Sequence, residues 1–476
     1  MFGLTAPGPH SVVDLSFSPD GKHITYKTEQ KDKKWVMVVD SQASAEYDEV
    51  RDPYFSPDNK RVAYVAKKGE KCVVVVDGQP SAEYEDMLFP VFSPDSNRVA
   101  YGIKKDNNKW SVVVDGQPGA EYDEIGDYIF SQDGKRVAYA AKKGEQWWLV
   151  MDGQAGAEYE GLAHLRFSPD GKRMAYAAQR NKQWSVMVDG QAGAEYDKIS
   201  GLQFSPDGIH MVYKAEKSEK WRVVMDDQVG AEYDEIGGFI FSPNGQRIAY
   251  VAKRGEQYLV VVDGQEGAEY DETMHLQFSP DGKHVAYAAR KDKQWLVVVD
   301  GQPGAKYDEI MHLQFSHDSK RVAYAAKQGK KWSAVVDGQA GAEYDKIQGL
   351  QFSPDGKRVA YRTMKGQGLK PHSVVVDGQS SPGFGLMVSL PTFSPDGKHV
   401  AYIAPGFKRG LGLQWSMVMD GQPGALYSII LGYSPTIFSK SPTFSPDGSL
   451  EFLAVEGVGV FKATGTLYRV KYIPTP

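Results

Sequence analysis

Residues 275–310 read HLQFSPDGKHVAYAARKDKQWLVVVDGQPGAKYDEI. Ser279-Pro280-Asp281-Gly282 has the composition of a type I turn, with proline presetting φ at the second position and glycine relaxing the fourth. It joins two strand-like stretches, 275–279 and 283–289, the second with Val285 and Tyr287 on one face. A third strand over 294–299 ends at a second turn, Asp300-Gly301, and 305–310 supplies a short polar fourth. Four antiparallel strands, a to d, in about 37 residues are the content of one propeller blade.

The unit recurs along the chain. Phe-Ser-Pro-Asp-Gly or a near copy starts at Phe17, Phe55, Phe92, Phe130, Phe167, Phe204, Phe241, Phe278, Phe315, Phe352, Phe393 and Phe444. Successive copies lie 37 or 38 residues apart up to Phe352, then 41 and 51. A second anchor, Val-Val-Asp-Gly or similar, places an aspartate at Asp40, Asp77, Asp115, Asp152, Asp189, Asp226, Asp263, Asp300, Asp337, Asp377 and Asp420, and the twelfth copy lacks it. A fixed period of this length means stacked repeats, each burying a face against its neighbour. The fold class expected is all-β: a β-propeller of twelve four-stranded blades.

Phe-Ser-Pro-Asp-Gly-Lys-Arg-Val-Ala-Tyr, an aromatic and Val-Val-Val-Asp-Gly, taken together, resemble the WD-like repeat of TolB-type propellers. The resemblance spans roughly Ser11 to Ile473. It implies a propeller fold but no particular function, since that repeat serves unrelated roles. TolB-type propellers usually have six blades. Here the spacing from Phe204 to Phe241 is the ordinary 37, with no linker and no shift in composition. The reading adopted is one closed ring over 1–476, with two six-bladed rings, 1–236 and 237–476, as the alternative.

Composition narrows the function classes. Net charge is −6 and the pI about 6.0, unlike the basic balance of nucleic-acid binders, so no nucleic-acid partner is expected. The single cysteine, Cys72, can form no intrachain disulfide. The first ten residues have neither a basic n-region nor an apolar h-region, and no run of 18 apolar residues occurs. A cytoplasmic protein without membrane contact is expected, with the periplasm as the alternative. No Gly-x-Ser-x-Gly, phosphate-binding glycine loop, His-Glu-x-x-His or Cys-x-x-Cys occurs. The expectation is therefore a protein more of binding than of catalysis, with no cofactor.

Alternating strand direction puts the a–b and c–d turns on one face of a blade and the b–c and d–a connections on the other. The first face is uniform, as turn chemistry requires. The second varies. Copies ten and eleven carry longer b–c loops, 364–372 and 405–413, and the connection at 428–442 is extended. Of these, 405–413 and 428–442 are apolar, and Phe407, Leu411, Ile430, Tyr433 and Phe438 are the residues expected to bind a protein or peptide, including a second copy of the chain. The alternative function is an enzyme or small-molecule binder at the mouth of a central channel. Three residues before each blade phenylalanine the sequence varies while its neighbours repeat, offering Asp14, Asp52, Asp127, His164, His275 and His312 as polar ligand groups. Two adjacent histidines do not make a four-ligand metal shell, and no metal is expected. The aromatic that opens strand c in most copies, such as Trp147 or Trp295, is read as packing between blades. The lysine pairs of the b–c loops are read as partners for acids on strand d.

Overall fold

The computed structural model describes residues 12–19, 22–366, 372–384, 388–408, 412–427, 429–430, 444–445, 449–456 and 466–472, and the protein is all-β throughout them apart from one 3-10 turn, Lys31–Lys33. The chain divides into two compact units, Met1–Glu232 and Tyr233–Pro476. In each unit successive copies of the repeat form successive antiparallel sheets, most of them four-stranded in the order a-b-c-d.

In the eighth copy, strand a is Glu272–Phe278, b is Val285–Lys291, c is Gln294–Val299 and d is Gln302–Tyr307. Strand d thus starts directly after the Asp300-Gly301 turn, three residues earlier than the polar stretch suggests. Glu309 and Ile310 already belong to the next inner strand, Glu309–Phe315. The reason is the turn. Asp300 and Gly301 both have positive φ (48° and 78°), the two-residue geometry whose twist matches that of the flanking strands. Asp292 and Lys293 (56° and 67°) make the same turn between b and c, so the basic pair Arg290-Lys291 ends a strand and is not a loop.

Strands b and c carry continuous apolar runs because both faces are covered. In the eighth copy Val285, Tyr287 and Ala289 pack with Val260 and Tyr270 of the seventh, while Ala286 and Ala288 pack with Leu313, Phe315 and Tyr324 of the ninth. The strand-b tyrosine meets the strand-d aromatic of the preceding blade edge to face, with ring centroids 5.9–6.4 Å apart. The strand-c tryptophans, Trp147, Trp184 and Trp332 among them, lie partly buried against these cores, as expected for packing residues.

A polar clamp ties neighbouring blades. Arg98 Nε donates to Asp115 Oδ2 at 2.8 Å, and Val99 N donates to Asp115 Oδ1 at 3.0 Å. The same guanidinium lies 5.3 Å from the ring centre of Phe130 in the next blade and donates to the Lys135 carbonyl at 2.6 Å. Arg61, Arg136, Arg173, Arg247, Arg321 and Arg358 repeat the aspartate and phenylalanine contacts. His23, His210, His284 and His399 take the same place and keep only the aspartate bond. The aspartate of each Val-Val-Asp-Gly therefore holds a cation as well as shaping a turn.

The Ser-Pro-Asp-Gly turns also touch from blade to blade. Ser131 Oγ donates to Asp133 Oδ1 at 2.6 Å and accepts from Arg136 N at 3.0 Å. Gly134, at φ 70°, sits so close to the preceding blade that a Cβ would collide with the Asp95 carboxylate. Where serine replaces this glycine, at Ser96 and Ser319, its hydroxyl accepts from the backbone N of Asp58 and Asp281 in the preceding blade, at 3.0 and 2.9 Å.

Among the described residues four copies depart from the pattern, two of them for a reason local to a proline. In copies two and three strand a breaks into Glu49–Val50 and Tyr54–Phe55, and into Asp86–Met87 and Val91–Phe92, because Pro53 and Pro90 have no N–H for the ladder. In copy eleven the expected long loop at 405–413 is instead a lengthened hairpin. Strand b runs Val400–Lys408, c runs Gly412–Met419, and Phe407 pairs with Leu413. Ile429–Ile430, expected in a loop, pairs with Leu450–Glu456 in a sheet completed by Thr466–Tyr472.

Two measurements check the clamp and the turns. Arg98→Ala should lose about 1–3 kcal/mol of stability in urea, and Arg98→His less, because histidine retains the aspartate bond. The Asp133 carboxyl is held below the usual carboxylate range by the Ser131 hydroxyl and the Lys135 amide, and Asp95, Asp170 and Asp318 are lowered in the same way, each first by its own turn serine. A folded pKa below the unfolded value means that the stabilisation is whole above about pH 4 and is lost as pH falls through the depressed values. Urea midpoints should therefore drop steeply below about pH 4, and Asp133→Asn should make that drop shallower.

Candidate functional site

The six polar residues expected at a channel mouth all lie on or beside strand a and all are exposed. Their residue types have a backbone explanation. In strand a the register shifts between Met274 and Gln277 and between Met311 and Gln314, so His275 and His312 sit in β-bulges, at φ 58° and 57°. Asp14 and His164 are likewise left-handed (54° and 57°), and glycine fills the position as Gly201 and Gly349 (67° and 61°). Aspartate, histidine and glycine are residues that tolerate this conformation. In copies two, three and eleven proline follows the position, after Asp52, Phe89 and Leu390, and favours extended backbone there.

The structure joins two pairs from this set. In the first unit Lys27 Nζ bonds Asp14 Oδ2 at 3.0 Å and Asp52 Oδ1 at 2.7 Å, linking blades one and two. Burial alone would lower the Lys27 ammonium, but its bonds to Asp52 and Asp14 outweigh that and raise its pKa. In the second unit the imidazole of His312 is lowered by partial burial and then by the neighbouring His275. Asp127 and His164 join neither pair. Among the described residues no group of three or more His, Cys, Asp or Glu is placed to hold a metal ion.

Apolar side chains share this edge of the first unit. Leu15 and Phe89 are more than half exposed, and Tyr54 and Val91 more than a third. The Tyr54 and Phe89 rings meet at a tilt of 52° with centroids 5.7 Å apart, and the Tyr128 hydroxyl donates to the Phe89 carbonyl, so blades two to four are joined here. Of the residues expected to bind a partner, Leu411, Tyr433 and Phe438 lie outside the described residues, as do the side chains of Phe407 and Ile430.

Concave surface occurs between blades. Clefts of about 500 and 370 Å³ in the first unit, and of about 490 and 340 Å³ in the second, repeat one arrangement. Each lies between strands c and d of one blade and strand b and the Asp-Gly turn of the next, with the strand-b tyrosine in its lining. The cleft between blades five and six differs. Its lining includes Asp227, where other copies have glycine or serine after the aspartate. Sequence reading passed over this residue, although the Asp226-Asp227 pair was visible as a break in the Asp-Gly rule.

Several charged groups next to the b–c turns are paired within the scaffold. Lys331 pairs with Asp345 at 2.6 Å and Lys105 with Glu121 at 2.6 Å, across strands of one blade. The acid after the strand-d tyrosine has a further role: Asp123 Oδ2 accepts from Gly144 N at 2.8 Å, and Asp308 Oδ2 from Gly329 N at 2.6 Å, capping the b–c turn of the next blade.

These tandem four-stranded sheets define a protein of the β-propeller type. No family model matches the chain, and no curated protein matches it. Among solved structures it is similar to a eukaryotic initiation factor (12% identity, 75% of this chain and 95% of that one, TM-score 0.34). It is also similar to the propeller domain of the Trilobed protease from Pyrococcus furiosus (15%, 54% and 94%, 0.26). A third is a putative TolB from Agrobacterium tumefaciens (16%, 40% and 84%, 0.25). These likenesses assign no activity to this chain.

If the bulge selects His275 through its backbone, His275→Gly should fold with unchanged or raised stability, while His275→Val should lose about 1 kcal/mol or more. Thermal melts of the two variants separate this from a ligand role, for which both substitutions would be equivalent losses of an imidazole.

Proposed function

We propose that this chain is a non-catalytic β-propeller of twelve blades that binds a protein or peptide partner. The observation that supports the reading is the apolar edge on blades one to three, where Leu15 is 55% exposed, Phe89 53%, Val91 38% and Tyr54 37%. Leu15, Tyr54 and Val91 stand on strands, and Phe89 lies in the break between Asp86–Met87 and Val91–Phe92. Tyr54 and Phe89 are further restrained by their ring contact. Rigid aromatics lose little conformational entropy on binding, which is why they anchor interfaces. The small-molecule reading is weaker, since Asp14 and Asp52 are already engaged by Lys27. The last-copy surface of Phe407, Leu411, Ile430, Tyr433 and Phe438 is part of the same proposal.

Selection of a random peptide library against the full chain tests the reading. Aromatic or aliphatic-rich peptides should emerge, and their affinity should fall about tenfold or more, ~1.4 kcal/mol, in the Tyr54→Ser/Phe89→Ser variant. That variant should keep the parent's circular dichroism, since both residues are exposed. Peptides that bind the variant as tightly as the parent would count against this edge, and a selection yielding no binders would count against the function.

A further inference from the structure

We propose that the partner of the apolar edge is a basic peptide segment, with an arginine or lysine side chain seated on the Tyr54 and Phe89 rings between Asp52 and Asp127. The inference rests on the reading of that edge as a partner-binding surface, and adds the chemistry of the partner.

The repeat sets the arrangement. The third residue before the blade phenylalanine is Asp52 in blade two, Phe89 in blade three and Asp127 in blade four, all three exposed. The ring contact of Tyr54 with Phe89, and the bond from the Tyr128 hydroxyl to the Phe89 carbonyl, place these stretches of chain side by side. An exposed ring therefore has a carboxylate at the same register in the blade on either side. Burial pushes the Tyr128 hydroxyl up to about 12, and Tyr54 and Asp127 push it the same way, so the three groups share one neighbourhood.

Backbone conformation does not account for the two acids. Asp14 and His164 are left-handed at this register, whereas Asp52 and Asp127 are not. Blades five and six carry His164 and Gly201 there, so within this unit an aromatic flanked by acids occurs once.

Charge at this register is unbalanced. Three carboxylates, Asp14, Asp52 and Asp127, stand against one ammonium, Lys27, which is bound to the first two. The Asp52 side chain is still 81% exposed, and Asp127 has no hydrogen bond or ion pair among the described residues. Arg51, one residue before Asp52, lies 3.8 Å from Glu49.

The partner chemistry follows from these groups. A cation over an aromatic face is attracted by the ring quadrupole, and a carboxylate beside it adds a charge-assisted hydrogen bond. A guanidinium does both with least loss, being planar, weakly hydrated and able to stack. Leu15 and Val91 offer apolar contact to the residues on either side of such a cation. An acidic segment would meet like charge here.

Panning a random peptide library against the full chain tests the proposal. Recovered peptides should carry arginine or lysine next to an aromatic or aliphatic residue. By fluorescence anisotropy their affinity should fall about fivefold or more when that cation is replaced by glutamine, and equally in Asp127→Asn. Added salt should weaken binding to the parent more than to Asp127→Asn. Asp127 is exposed and unpaired among the described residues, so the variant should melt with the parent and lost affinity cannot be ascribed to unfolding. Peptides that need Tyr54 and Phe89 but are no more basic than the library, or that bind Asp127→Asn as tightly as the parent, overturn this inference and leave the apolar-edge reading standing. Recovery of no peptide, or only of peptides indifferent to Tyr54→Ser/Phe89→Ser, overturns both.

Discussion

The contact on which the rest depends is the arginine clamp. One guanidinium satisfies the aspartate of its own Asp-Gly turn, covers the phenylalanine of the next blade and donates to a carbonyl there, as Arg98 does with Asp115, Phe130 and Lys135. It joins the a–b turn to the c–d turn within a blade and joins that blade to its successor. The residues it needs, Phe, Arg and Asp, are those that the repeat keeps. Because the phenylalanine belongs to the following copy, no copy can vary its own anchor without cost to its neighbour. Stability in such an array is a sum of blade and interface contributions, so similar interfaces distribute it evenly along each unit.

Uniform interfaces also make uniform surfaces. The clefts between blades recur because the strands that form them recur, and none is a site by virtue of existing. Function in a protein of this kind has to be sought where a copy breaks the rule without a structural reason. Arginine-to-histidine exchange in the clamp is a tolerated variation, since His23, His210, His284 and His399 retain the aspartate bond. Serine for glycine at Ser96 and Ser319 is another, as the hydroxyl finds a partner in the preceding blade. Proline at Pro53 and Pro90 splits a strand and leaves Tyr54, Phe89 and Val91 exposed at the break. Asp227 takes a left-handed turn position that Ser41 fills in the first copy.

The sheet architecture was legible because its determinants are local. A turn tetrapeptide, an Asp-Gly dipeptide and apolar runs between them specify four strands, and their recurrence specifies the stack. What the sequence did not disclose was the geometry created by pairing. The placement of strand d immediately after Asp300-Gly301 depends on both residues turning left-handed, and the hairpin at Phe407 and Leu413 depends on a register that composition does not encode. The clamp escaped a reading that credited the aspartates to turns alone, because the two partners of its arginine lie 17 and more than 30 positions further along the chain, as Asp115 and Phe130 do from Arg98.

The candidate site shows the same limit from the other side. Variation before the blade phenylalanine drew attention to Asp14, His164, His275 and His312, yet their side chains vary over a backbone that is itself the constraint: a bulge needing a left-handed residue admits aspartate, histidine and glycine and rejects branched side chains. Asp227 follows the same logic: like Ser41, Lys182, Glu219 and Lys293 it takes the left-handed second place of a two-residue turn that other copies give to glycine, so its main chain accounts for it as the bulge accounts for Asp14.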